Sequence, residues 1–260
     1  SGWSLSFPNS ARAEKRALQT GLADREVELE VLRQFNREVL PLMVKGLLTD
    51  RCIGIIKTNH SVPATLKKDL INVLKLAGAQ IGSNIDFSLW PPTSTAYRAL
   101  AAHLDFGEDK HWFNQVLTAF TAEVISGQES FTLATLQANN LIQVNQLTAG
   151  PLDTLILLGG SYEDKADLVE QLDLILAKEA KGRGVTVVGV EPLTAKGSYI
   201  SRYKNAGLAT IDNIDTLPGQ VALVLALASD EGGNYGVKGT ARSLLPKTAL
   251  AGLAYGREAR

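Results

Sequence analysis

The 260-residue chain is short of the residues from which most chemistry is built. It has one cysteine (Cys52), one methionine (Met43) and three histidines (His60, His103, His111). A single cysteine excludes an intramolecular disulfide and leaves the redox compartment undetermined. So few soft and imidazole donors, scattered along the chain, leave no clustered set for copper or zinc, so no metal site is expected. Charge of one sign is lacking too. With 26 basic and 27 acidic residues the net charge is -1, which provides no field to gather nucleic acid or an anionic membrane surface, and a nucleic-acid partner is not expected. The longest strongly apolar stretch, Val221 to Ala228, is far below the roughly 20 residues that span a bilayer. No G-x-S-x-G elbow, G-x-G-x-x-G spacing or Walker A lysine appears, so the common nucleophile and phosphate signatures are missing. Cys52, at the start of an apolar strand, reads as a small buried hydrophobe. No cofactor and no catalytic residue are assigned.

What is present is a hydrophobic content of 45%, enough for a substantial core. Residues 1–9 have no initiator methionine and read as a tag remnant or a membrane-proximal linker. Between Asn9 and Pro41 no proline occurs, and good helix formers predominate. The expected helix, about Asn9 to Val39, would be about 45 Å long. Alternating steps of four and three give Leu18, Leu22, Arg25, Leu29, Leu32, Asn36 and Val39, a heptad seam with two polar interruptions. Residues 10–48 are therefore expected to form a parallel homodimeric coiled coil, with Asn36 fixing register at a cost in stability.

Residues 49–245 read as an α/β domain. The β-branched run Cys52 to Lys57 predicts a strand, Leu66 to Ala77 an amphipathic helix ending at Gly78, and Gln80 to Phe87 a second strand, making a βαβ unit. A helical insertion is expected over about 90–140. Strands then fall near Leu141–Asn145, Asp153–Leu158, Val185–Val190 and Ala209–Ile211, with helices at Asp164–Lys181, Ser198–Ala206 and Pro218–Ala228. Repeated β-then-α alternation with buried-looking strands predicts a mostly parallel, Rossmann-like sheet with helices on both faces. Residues 246–260 are left as a C-terminal tail.

Ligands in such sheets bind beyond the carboxyl ends of the strands, which directs attention to three loops. Gly159 and Gly160 follow an LILL strand and offer backbone amides to an anion, or simply turn the chain tightly. Asp212 and Asp215 offer a carboxylate pair, or a turn and a helix cap. The segment Gly232 to Gly239, with Tyr235, Gly236 and Lys238, offers a ligand-covering flap, or a flexible surface loop.

The order Thr210-Ile211-Asp212-Asn213-Ile214-Asp215, Pro218-Gly219, the apolar run Val221 to Leu227 and Tyr235-Gly236 resembles the TVDDID, PG, apolar-helix and HYG pattern of the mycobacterial copper-transport family MctB, also described as SteB in cell-envelope work. Upstream, LTDRCIGIIKT and LAGAQIGSNIDF resemble that family's first βαβ unit, and Gly159-Gly160 sits where the family has a TGG turn. The resemblance covers most of the chain, least securely in the insertion. It implies a spanning helix upstream of Ser1, a coiled coil and an extracytoplasmic α/β domain. It further implies a role in copper homeostasis or cell-wall remodelling through a membrane or envelope partner. Two functions of different class follow: a membrane-anchored, dimeric, non-catalytic envelope protein presenting its α/β domain to a partner, or a sensor or enzyme for a phosphate- or sugar-like ligand using the three loops.

Overall fold

The computed structural model describes residues 8–104, 112–128, 130–148, 150–163 and 168–247. Chain contacts divide it into two units, Ser1–Met43 and Val44–Arg260. The described residues of the first belong to a single helix, α1 (Pro8–Val44). It passes through Pro41 instead of ending before it. Proline there removes one amide donor, leaving the Arg37 carbonyl without its intrahelical partner, a local loss the flanking turns absorb. Ion pairs between Glu30 and Arg37 (2.9 Å) and between Glu30 and Arg33 (3.6 Å) lace one side of the helix. The guanidinium of Arg37, hydrogen-bonded to Glu30, lowers that carboxyl's pKa.

The second unit is built on a seven-stranded sheet of order β3-β2-β1-β4-β5-β6-β7. Its strands are β1 (Cys52–Lys57), β2 (Gln80–Phe87), β3 (Ile142–Leu147), β4 (Thr154–Leu158), β5 (Thr186–Val190), β6 (Ala209–Ile211) and β7 (Asn234–Tyr235). All neighbours pair in parallel except β2 and β3, which are antiparallel. The predicted mostly parallel α/β class is therefore observed. Between β2 and β3 lies the expected helical insertion, with α3 (Ser94–Leu104), α4 (Trp112–Ser126) and α5 (Phe131–Ala138) among its described residues. The helices α2 (Ala64–Leu76), α6 (Leu174–Gly182), α7 (Ile200–Asn205) and α8 (Leu217–Ala228) complete the layers. The helix expected over Asp164–Lys181 is described only from residue 168, and opens with a π-helical turn, Val169–Asp173, that runs directly into α6.

The central strands β1, β4 and β5 are buried on both faces because helices cover both, whereas the edge strand β3 is only partly buried. In β4 every residue is buried. Leu155 and Leu157 join a core that contains Phe120 of α4 and Leu176 of α6, while Ile156 and Leu158, equally buried, alternate to the opposite side. There α8 supplies Val221 through Leu227, all buried. Thr216 caps α8, its hydroxyl accepting from the Gly219 amide at 3.2 Å, with Pro218 in the first turn. The chain leaves β1 for β2 on one side and later returns as β4 on the other. The β1–β4 boundary is thus the topological switch point, where open α/β sheets form a crevice at the carboxyl ends of their strands.

Candidate functional site

Four strand ends converge on this crest. After β1 come Thr58, Asn59 and Ser61, and after β4 come Gly159, Gly160 and Ser161; Glu191 follows β5 and Asp212 follows β6. They are joined by buried hydrogen bonds. Asp173, in the π-helical turn and fully buried, accepts at Oδ2 from the Thr58 hydroxyl at 2.7 Å and from the Tyr203 hydroxyl. Its Oδ1 has no partner. Burial raises the carboxyl to about 7, partly offset by the hydrogen bonds from Tyr203 and Thr58. The same burial, together with the nearby Asp173 charge, pushes Tyr203 well above the ordinary phenol range. Gly159 admits this arrangement by lacking a side chain, since a Cβ there would collide with the Tyr203 hydroxyl and the Tyr199 ring.

A second anchor is Glu191, also fully buried. It accepts from the Ser198 hydroxyl and the Tyr199 amide, each at 2.7 Å, and from Lys238 Nζ at 2.5 Å. Asp212, buried at the end of β6, accepts from the amides of Val237 (2.8 Å) and Lys238 (3.0 Å). Gly236, at φ +134°, lies directly against the Asp212 carboxylate. Lys238 thereby links the loops after β5, β6 and β7.

Of the residues singled out in the sequence, Gly159, Gly160, Asp212, Gly236 and Lys238 thus belong to one connected crest. A Cβ built on Gly160 would contact Glu191, and its neighbour Ser161 bridges to Gly197. Asp215 lies apart from Asp212 in function, accepting from the Leu193 amide at 2.6 Å. Both carboxylates hold backbone. Tyr235 is buried in β7, with its hydroxyl pushed up to about 12 by burial and by Glu231. The Gly232–Gly239 segment is therefore partly strand, not simply a flexible loop, because pairing with β6 satisfies its backbone. The amides of Gly159 and Ser161 donate at 2.9 Å to the carbonyls of Val190 and Gly197, so neither is available to an anion.

A cleft of about 330 Å³ opens at the switch point. Its buried lining includes Asn59, Ser161 and Tyr199, and its exposed lining His60, Glu163 and Gln171. Asn59 Oδ1 accepts from the Ser61 amide (2.9 Å) and hydroxyl (2.8 Å), while its Nδ2 donates to the Tyr199 hydroxyl at 3.1 Å. None of these residues carried a recognisable motif, and only strand register brings them together. Asp173 did leave a signal: it falls at core spacing with Val169 and Ala177, which marks a buried acid. A further hollow of about 390 Å³ lies at the amino ends of β5 and β6, away from the end where such sheets bind ligands.

On α1 the seam residues Leu18, Leu22, Leu29 and Leu32 are 50–68% exposed, with Asn36 and Val39 partly exposed. A second apolar stripe, Val27, Val31, Phe35 and Leu42, is also exposed and was not distinguished by the heptad count. Cys52 is partly buried, and its thiol pKa is raised by burial and then by Asp153. His60 lies at the cleft, and His103 Nδ1 is 2.8 Å from the Ala99 carbonyl. His111 lies outside the described residues. Among the described residues no group of three or more His, Cys, Asp or Glu side chains gathers to hold a metal.

Fold and crest define an open, doubly wound α/β protein with an N-terminal helix, whose strand-end loops are clamped by buried carboxylates. A family model described as copper transport outer membrane protein, MctB, matches residues 8–246, and the chain belongs to that family. No curated protein matches the chain. Among the described residues no helix is long and apolar enough to cross a membrane.

Proposed function

We propose that this chain is the extracytoplasmic part of a membrane-anchored envelope protein that dimerises in parallel through α1 and presents its α/β unit to a membrane or envelope partner. Its role in copper homeostasis or cell-wall remodelling is exercised through that partner and not through catalysis or a copper site of its own. The observation that carries the reading is the exposed seam of α1. Four leucines at heptad spacing stand half or more exposed on a 37-residue helix, and each is worth about 1.5–3 kcal/mol when fully buried. A second copy in register covers them all and sets two Asn36 side chains against each other.

Family membership supports the envelope setting and the link to copper. The donor inventory supports an indirect copper role, since Cu(I) favours thiolates and thioethers and the chain has one cysteine and one methionine. A rigid helical stalk also sets a distance between bilayer and domain that a flexible linker would not. Light scattering tests the dimer directly. A mass near twice the 27.9 kDa of one chain is expected, falling to one chain in the Leu29→Asp/Leu32→Asp variant. A monomer at micromolar concentration in the parent chain contradicts the proposal. For anchoring, a reporter fused to the C-terminus of the full gene product is expected outside the cytoplasm, and a cytoplasmic signal refutes it.

A further inference from the structure

We propose that the cleft at the β1–β4 switch point binds a neutral, hydroxyl-rich ligand of sugar size, a hexose or N-acetylated hexosamine unit. The proposal is independent of the dimer. The position is the one where doubly wound sheets receive ligands, and about 330 Å³ falls within the range of small-molecule sites.

The chemistry of the lining selects the class. Among the described residues its lining holds no lysine or arginine, while Glu163 contributes a carboxylate, so the described lining repels a phosphate or carboxylate ligand more than it attracts one. The amides of Gly159 and Ser161 are already committed within the fold, which takes two of the strand-end donors away from an anion. What remains is a balanced set of donors and acceptors. Planar amides from Asn59 and Gln171, the Ser161 hydroxyl, an imidazole from His60 and the Glu163 carboxylate match the mixed valence of sugar hydroxyls. Pro91 and Leu168 add apolar surface for the C–H face of a ring.

The site is also built before the ligand arrives. Asn59 is buried and fixed by Ser61 and Tyr199, and Tyr199 is fixed in turn through its amide by buried Glu191. At the rim, the side chains of His60, Glu163 and Gln171 are exposed and can exchange water for ligand. A rigid floor lowers the ordering cost of binding, and exposed rim groups supply the contacts.

Saturation-transfer NMR on the intact chain with glucose and N-acetylglucosamine as separate probes, and isothermal titration calorimetry with inorganic phosphate, test this. Transfer to at least one of the two sugars is expected, with no binding of phosphate. The Glu163→Ala/Gln171→Ala variant changes two exposed side chains and should keep the fold, verified by its circular dichroism and melting temperature. It should weaken sugar binding about tenfold, the effect of losing one or two hydrogen bonds. No transfer to either sugar at about 10 mM, the weak end of measurable affinity, overturns the proposal. Preferential binding of phosphate overturns the neutral class, and sugar binding unchanged in the folded double variant overturns the location.

Discussion

Replacing Asp173 with asparagine should stabilise the protein at alkaline pH and leave it almost unchanged at acidic pH. The carboxyl is fully buried, accepts from Thr58 and Tyr203 on one oxygen, and has nothing on the other. Its pKa rises from 3.8 to about 7, because burial penalises the charged form more than the two hydrogen bonds favour it. Between about pH 4 and pH 7 the folded chain therefore retains a proton that the unfolded chain has lost. Stability contributed through this group falls as pH rises across that window and levels off above about pH 7. The interval from 3.8 to about 7, at about 1.4 kcal/mol per pH unit, amounts to roughly 4 kcal/mol. Asparagine with its oxygen toward Thr58 and Tyr203 reproduces the protonated acid at every pH. Urea denaturation of both proteins at pH 4 and pH 8 is the assay. The variant should match the parent within about 1 kcal/mol at pH 4 and exceed it by up to about 4 kcal/mol at pH 8. A difference that does not change with pH, or a variant less stable at pH 8, refutes the reasoning.

Four further outcomes follow from the structure and the donor inventory. Lys238→Met should cost about 2–3 kcal/mol in chemical denaturation by stranding the buried Glu191 carboxylate, and Glu191→Gln added to it should recover part of the loss; an additive double variant contradicts the pairing. Gly236→Ala should cost about 2 kcal/mol or more, since φ of +134° is strained for alanine and its methyl would be driven into Asp212; a melting temperature unchanged from the parent sinks this. The Cys52 thiol, its pKa raised, should react with a disulfide reagent at pH 8 more slowly than free cysteine, and Cu(I) titrated against a competing chelator should show no tight stoichiometric site. Tight binding abolished by Cys52→Ser would overturn the indirect role in copper handling.

The fold was largely legible because burial leaves a local record. CIGIIK and TLILL are near-continuous apolar runs, as strands covered on both faces require, and β1 and β4 follow them closely. The helices between them kept their amphipathic spacing, as in Leu66, Leu70 and Val73 of α2. Three things were harder to read. Pro41 looks like a stop, yet a helix tolerates one lost donor when its neighbours hold. Asn234–Tyr235 sits in a glycine-rich segment whose composition suggests a loop, and only pairing with β6 makes it a strand. The cleft was not legible at all. Asn59 and Ser161 are about a hundred residues apart and unremarkable in isolation, and the parallel register of β1 with β4 alone sets them side by side. Lys238 illustrates the intermediate case: its charge drew notice, but its partner Glu191 is visible only in three dimensions.

The parallel, in-register seam proposed for α1 is tested most directly by one cross-linking experiment. In a Cys52→Ser background, Leu22→Cys places a thiol at an inward heptad position, where a parallel dimer brings the two copies face to face within disulfide reach. Mild oxidation should convert most of that variant to a covalent dimer, while a control cysteine at Glu26, four residues further along the helix and off the seam, should cross-link poorly. Leu22→Cys remaining monomeric under oxidation, or cross-linking no better than the Glu26 control, would contradict it.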